Sequence, residues 1–334
     1  MKKIVYYLSA DKACVQDFYV DIILNAFQKK GYAFQVLSNM NEIKKLPRDS
    51  YLVLISSYAV FYCRLMGFRN IFYWSQGVSP EESFMRNKSY LRKFVSSIIE
   101  LYALKRSRFC FLVSSGMLIH YKNKYKYDLT SKSYVMPCYN SEINREHFHV
   151  NDKYVTNKFC YVGGLSVWQC FLETVQFYKK IEQIIPSSEF VVLTPDEEEA
   201  TSILMQEGVK NYSVKFVHQD QLLNEIKQCK FGFIIRHDSP VNYVATPTKL
   251  SNYLASGIIP IVTNSVKYFS DILSNTKYNV ILDNLEEIDR VIDLMSYEIN
   301  AEDVFIEYKD IFNKYFNSKQ HINNIATIIE QYID

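Results

Sequence analysis

One stretch limits the possible folds more than any other: residues 230–262, KFGFIIRHDSPVNYVATPTKLSNYLASGIIPIV. The apolar run 231–235, closed by Arg236 and His237, has the length of a buried strand. The polar segment 237–245 predicts a loop. Thr246 then supplies a hydroxyl N-cap and Pro247 the first helical position, where a missing N–H costs nothing. The helix is expected to end at Ser256, with Gly257 as its left-handed cap. The β-branched run 258–262 predicts a second, parallel strand. Strand, helix and strand make one βαβ unit, and such units hold ligands beyond the carboxyl ends of their strands.

This unit has the chemistry of an anion site. Arg236 stands where the first strand ends, and the helix N-terminus carries partial positive charge and unpaired N–H groups. Lys249 lies in the first helical turn, where a cation opposes the helix dipole unless an anion sits between them. Asn252 and Tyr253 follow at helical spacing, on the face of Lys249. The bland alternative is an ordinary crossover with a solvated lysine.

The pattern P-x-K-L-x-x-Y-L-A-x-G-x-x-P-I-V, preceded by an arginine at a strand end, resembles the donor-site segment of GT-B glycosyltransferases. It is most similar to bacterial members of glycosyltransferase family 4 that build surface polysaccharides such as capsule and O-antigen. Three other stretches agree in order. Tyr161 to Trp168 resembles the glycine loop that opens the C-terminal domain, Tyr73 to Gly77 with Glu81 and Glu82 the acceptor-side loop, and Val135 to Cys138 the end of the N-terminal domain. The resemblance implies two Rossmann-like, doubly wound parallel-sheet α/β domains with a cleft between them. It implies a UDP- or GDP-sugar donor and a glycan or polyprenyl-linked acceptor. Gly163, Gly164, Ser166, Arg236, Thr246, Pro247, Thr248, Lys249 and Asn252 would bind the donor, with His218 near the base, and Gln76 and Glu81 would serve the acceptor. The implied chemistry is metal-independent and retaining, with Arg236, Lys249 and the amides of 246–248 holding the departing diphosphate. The family's paired glutamates are replaced here by Val244 and Asn252. Asn252 can still bond a hydroxyl, whereas Val244 cannot. That departure keeps open an inactive, transferase-like nucleotide- or glycan-binding protein, and a sugar-nucleotide epimerase on the same fold is a weaker rival.

Strands alternating with helical patterns predict an N-terminal domain over 1–140, a polar linker over 141–157, a donor domain over 158–315 and a last helix, 316–334, crossing back to the first domain. The net charge of +2 makes no global case for nucleic acid. Seven scattered cysteines without a C-x-x-C pair suit a reducing cytoplasm. The apolar run after Lys2 and Lys3 is too short for a signal peptide, which also disfavours a periplasmic binding protein, and the tract 51–63 is shorter than a membrane span.

Other motifs have plainer readings. His147 and His149 read as surface rather than metal ligands, and the acids at 196–199 as a helix start capped by Thr194 and Pro195. No metal site is expected. Basic residues crowd 86–132 among tyrosines, so an anionic membrane on the inner cytoplasmic face is weighed against a solvated helix surface. Pro80, Glu81 and Glu82 read either as acceptor-side acids, with Glu81 as a base, or as a helix start whose acids suit its dipole.

Overall fold

A computed structural model describes residues 4–9 and 14–333, which divide into two compact units. Unit 1 comprises 1–138 with 317–334, and unit 2 comprises 139–316. Both contain a six-stranded sheet in which all the paired strands are parallel.

In unit 1 the chain runs β1 (Ile4–Leu8), α1 (Cys14–Lys29), β2 (Ala33–Leu37), α2 (Met40–Lys44), β3 (Tyr51–Leu54), α3 (Ser57–Leu65) and β4 (Ile71–Ser75). It continues through α4 (Ser79–Asn87), α5 (Tyr90–Arg106), β5 (Phe109–Leu112), α6 (Ser115–Tyr125) and β6 (Ser133–Val135). The sheet order is β2-β1-β3-β4-β5-β6. Every residue of β3, β4 and β5 is buried, which is why these strands read as unbroken apolar runs rather than alternating ones. The apolar tract 51–63 is therefore a strand and a helix, parted at Ser56, the residue before α3.

Unit 2 holds β7 (Lys158–Val162), α7 (Phe171–Ile184), β8 (Glu189–Leu193), α8 (Glu197–Gln206), β9 (Tyr212–Lys215), α9 (Leu222–Ile226) and β10 (Phe231–Ile234). Then follow α10 (Pro240–Val244), α11 (Lys249–Ala255), β11 (Ile259–Thr263), α12 (Lys267–Leu273), β12 (Val280–Leu282), α13 (Ile288–Ser296) and α14 (Ala301–Tyr315). The sheet order is β12-β11-β10-β7-β8-β9. The chain winds from β7 out to β9, then returns to β10 and winds the other way, so the switch point lies between β7 and β10. Ligands of doubly wound sheets bind at that point.

The segment 141–157, expected to be a linker, packs into unit 2. Phe148 is buried edge-on to Phe305, and the buried Lys153 donates to the carbonyls of Lys227 and Ser256, each at 2.6 Å. The last helix, α15 (Ser318–Ile329), belongs to unit 1 and lies along α1. Lys30 pairs with Glu330 at 2.7 Å, and His321 Nδ1 lies 2.8 Å from the Tyr134 hydroxyl.

Candidate functional site

The carboxyl edge of the unit 2 sheet brings two buried cations together. Arg236 follows β10 and Lys249 opens α11, and each is only 5% exposed. An Arg236 Nη2 hydrogen and the Lys249 ammonium both point at one oxygen, Gln169 Oε1, the lysine at 3.1 Å. The amide meets both cations with its oxygen, the atom of that group that can accept from them. Among the described residues neither cation forms an ion pair with a carboxylate, and Arg236 Nη1 is buried without a hydrogen-bond partner. Burial pushes the pKa of Lys249 well below the usual lysine range, with Arg236 adding to the effect, and burial also lowers that of Arg236. The Lys249 ammonium lies 4.0 Å over the Tyr161 ring, a partial compensation for its lost water.

Local sequence explains how the site is held. Thr263 Oγ1, at the end of β11, accepts from Arg236 N at 2.8 Å and donates to Arg236 O at 2.9 Å; Ser265 donates to the same carbonyl. Gly163 has φ +125°, a conformation that side-chain-bearing residues rarely adopt, and an added Cβ would meet Lys249 Nζ at 3.5 Å. Asp196 accepts from the amide of Leu165 at 2.9 Å, and the Tyr161 hydroxyl donates to the Gly164 carbonyl at 2.7 Å, fixing the glycine loop. Beyond Arg236 opens a cavity of about 510 Å³, lined by Tyr243, Thr263, Asn264, Asp283 and others at the same edge.

Several local expectations are corrected. The helix expected from Thr246 starts two residues later, with Thr248 at the cap position and Lys249 first, and it spans seven residues. The segment 237–245 is not all loop: Ser239 accepts from Asn242 N at 3.2 Å and starts α10 at Pro240. No continuous helix runs on from Trp168. Val167–Gln169 form a 3-10 turn and Cys170 adopts a left-handed conformation (φ 50°) before α7 begins. That break turns Gln169 toward the cations, and no residue pattern in the sequence signalled it. Asp196, not Thr194, takes the cap position of α8.

Other named residues are placed as follows. Asn252 is buried, and its Oδ1 accepts from the Ser141 hydroxyl at 2.5 Å. Thr246 is buried, Pro247 precedes α11, and Ser166 is exposed at the start of the 3-10 turn. Val244 is buried in α10. Tyr253 is a core residue whose hydroxyl accepts from Val162 N at 3.2 Å. His218 is exposed beyond β9, three strands from β10, or about 14 Å at the usual strand spacing.

On unit 1, Gln76 follows β4 half-buried. Glu81 is buried in α4, with its carboxylate 2.9 Å from Lys124 and 3.8 Å from both Lys93 and His120. Burial raises its pKa, but His120 and Lys124 beside it outweigh burial and hold it at about 2. A carboxylate so acidic is a poor general base, so the catalytic role expected for Glu81 has little physical support. Among the described residues, Cys170, Glu173 and His237 could together face a metal, their ligand atoms lying within 4.8 Å of one another. His237 Nε2 is 2.6 Å from Glu173, and the positive field of Arg236 and Lys249 reaches Cys170 and disfavours a cation there.

Residues 171–311 match the glucosyltransferase 3-like C-terminal domain family. A search of curated protein sequences finds no match to the chain. Among solved structures it is similar to sucrose-phosphate synthase from Thermosynechococcus elongatus, with a TM-score of 0.73, 10% identity and 99% of each chain covered. Anabaena HepE in complex with UDP and glucose gives a TM-score of 0.72 and 10% identity over 99% of this chain and 100% of that one. The chain has the GT-B fold. The likeness to GT-B glycosyltransferases seen in the sequence is borne out, in the two parallel-sheet units and in the family matched by the second of them. A mutant of S. aureus TarM, in complex with fondaparinux, alpha-GlcNAc-glycerol and UDP, gives a TM-score of 0.64 and 10% identity, with 85% of this GT-B chain covered. The chain spans 57% of TarM's length.

Proposed function

We propose that this GT-B protein transfers a sugar from a nucleoside diphosphate donor, a UDP-sugar foremost, to a glycan or lipid-linked hydroxyl in the synthesis of a bacterial surface polysaccharide. The observation that carries the reading is the pair of buried cations, Arg236 and Lys249, converging on Gln169 Oε1 without a carboxylate to neutralise them. Such a pair gains most from a ligand with two adjacent phosphates. As the bond between C1 of the sugar and the β-phosphate oxygen breaks, its electron pair moves onto the diphosphate. Arg236 and Lys249 stabilise that charge where water is excluded. The acceptor oxygen bonds to C1 and its proton passes to the departing diphosphate, so retention needs neither Glu81 nor another base. The same two cations meet the charge demand without a metal.

The test is direct. The purified protein is titrated with UDP and GDP by calorimetry, then incubated with UDP-glucose, UDP-N-acetylglucosamine and GDP-mannose while nucleotide release is followed. UDP binding and release, both lost in Lys249→Ala, support the proposal; absence of any nucleotide binding defeats it. Binding without release favours the second reading, a transferase-like binding protein. The engagement of Asn252 by Ser141 and the apolar Val244 are the observations behind that alternative.

A further inference from the structure

Helix α5 is apolar on the wrong side. Its buried residues are Ser96, Glu100, Ala103 and Leu104, whereas Tyr90, Leu91, Phe94, Val95 and Ile98 face outward. These five recur at helical spacing on one face, and Tyr90 (77%), Leu91 (73%) and Phe94 (64%) are nearly bare. Helix α3 adds Tyr58, Tyr62 and Leu65, all exposed. The two helices are clasped by a 2.7 Å hydrogen bond between Tyr58 and Ser96 and by an edge-on contact of Phe61 with Tyr102. The result is an apolar plate carried by two packed helices of unit 1, and plates of this kind are rarely left to water.

The charge around the plate identifies what covers it. Residues 57–106 contain eight lysines and arginines, at positions 64, 69, 86, 88, 92, 93, 105 and 106. The same stretch has three acids, of which Glu81 and Glu100 are buried and Glu82 is half-buried. Within this stretch no acid is exposed; Asp128, next to the Tyr127 ring that Lys105 covers, is exposed but pairs with Lys122 at 3.1 Å. Two copies docked by this face would bring like charges together. An apolar face edged by cations fits a layer of acyl chains beneath anionic headgroups. No helix among the described residues is long and apolar enough to cross a membrane, so the contact lies in the plane of the surface.

We propose that the α3–α5 face docks on an anionic lipid bilayer, with Leu91, Phe94 and Ile98 entering the acyl boundary and Arg92 and Lys105 meeting headgroups. The proposal is independent of the donor-site reading. The whole protein is floated with vesicles of phosphatidylcholine alone and of phosphatidylcholine mixed with phosphatidylglycerol. Binding to the mixed vesicles is expected to exceed binding to the neutral ones at least tenfold, and to fall by as much at about 1 M salt, where the Debye length is about 3 Å. A Leu91→Glu, Phe94→Glu, Ile98→Glu variant is expected to stay in solution at any salt. An Arg92→Glu, Lys105→Glu variant is expected to lose the preference for anionic vesicles. Circular dichroism melting of each variant checks that unit 1 is folded; all five positions are exposed, so melting within a few degrees of wild type is expected. Equal binding to both vesicle types, no binding to either, or unchanged binding by the folded triple variant overturns the proposal. So does a concentration-dependent dimer in sedimentation that the triple variant abolishes, since a second copy would then own the face.

Discussion

Replacing Gln169 by glutamate puts a fixed negative charge where the bound diphosphate is proposed to bring one. The amide oxygen already receives the Lys249 ammonium at 3.1 Å and an Arg236 guanidinium hydrogen. At that separation and an effective dielectric constant near 20, a unit charge pair is worth about 5 kcal/mol before desolvation. Holding a half-buried carboxylate costs several kcal/mol of this, leaving a net gain of about 2 kcal/mol. For a unit of this size that is a rise in melting temperature of about 4–8 °C. UDP would meet an occupied cation pair and a repelling carboxylate, so its affinity is expected to fall at least about 100-fold, near 2.7 kcal/mol. Scanning calorimetry of Gln169→Glu without ligand, followed by isothermal titration with UDP, reads both effects. Gln169→Leu is the control: it strips the cations of their shared acceptor, so it is expected to melt below wild type yet still bind UDP. If Gln169→Glu melts no higher than wild type and binds UDP with unchanged affinity, the cations do not converge as described.

Four further outcomes are expected. Lys249→Met removes a buried charge, so the ligand-free protein should gain about 1–3 kcal/mol in denaturant melts while UDP binds at least about tenfold more weakly. Gly163→Ala forces a side chain into a backbone with φ +125°, which should cost about 1–3 kcal/mol and weaken UDP binding, measured by melting and titration together. Gly232→Ala drives a Cβ to 2.7 Å from the buried Tyr253 ring and should destabilise unit 2 by about 1–3 kcal/mol, with little change in UDP affinity in whatever fraction stays folded. Glu100 is raised from 4.5 to about 7 by burial, against the pull of Lys124 and Tyr125, so the folded state loses stability as pH climbs from 4.5 toward 7 and keeps the deficit above it. Glu100→Gln should therefore gain up to about 3 kcal/mol over wild type in urea melts at about pH 8 and nothing at about pH 4.

The parallel sheets were legible because their central strands are buried on both faces. Runs such as 231–235 and 258–262 could scarcely be anything else, and Gly257 marked the end of α11 through its positive φ. Arg236 and Lys249 were legible because each stands at the end of an element, where sequence punctuation is strongest. Gln169 was hidden because its position depends on a 3-10 turn and a left-handed cysteine inside what reads as one helix. The start of α11 was misplaced because Thr246 and Pro247 read as a cap and a first helical residue, whereas the helix begins after Thr248, which makes no side-chain capping bond. The outward face of α5 was invisible for a related reason. Periodicity shows that an apolar stripe exists, but not whether a neighbouring element covers it, and here the covered side is the one with Ser96 and Glu100.

The assignment of α15 to unit 1 has a bearing on how the chain is made. Lys29 on α1 finds its partner Asn323 almost three hundred residues downstream. Unit 2, continuous from 139 to 316, can close as soon as it leaves the ribosome, whereas the earlier-synthesised unit must wait for the last helix. For the whole of that interval α1 presents a bare flank, and a nascent chain stalled before residue 317 would offer chaperones and proteases their opening on the half that was translated first.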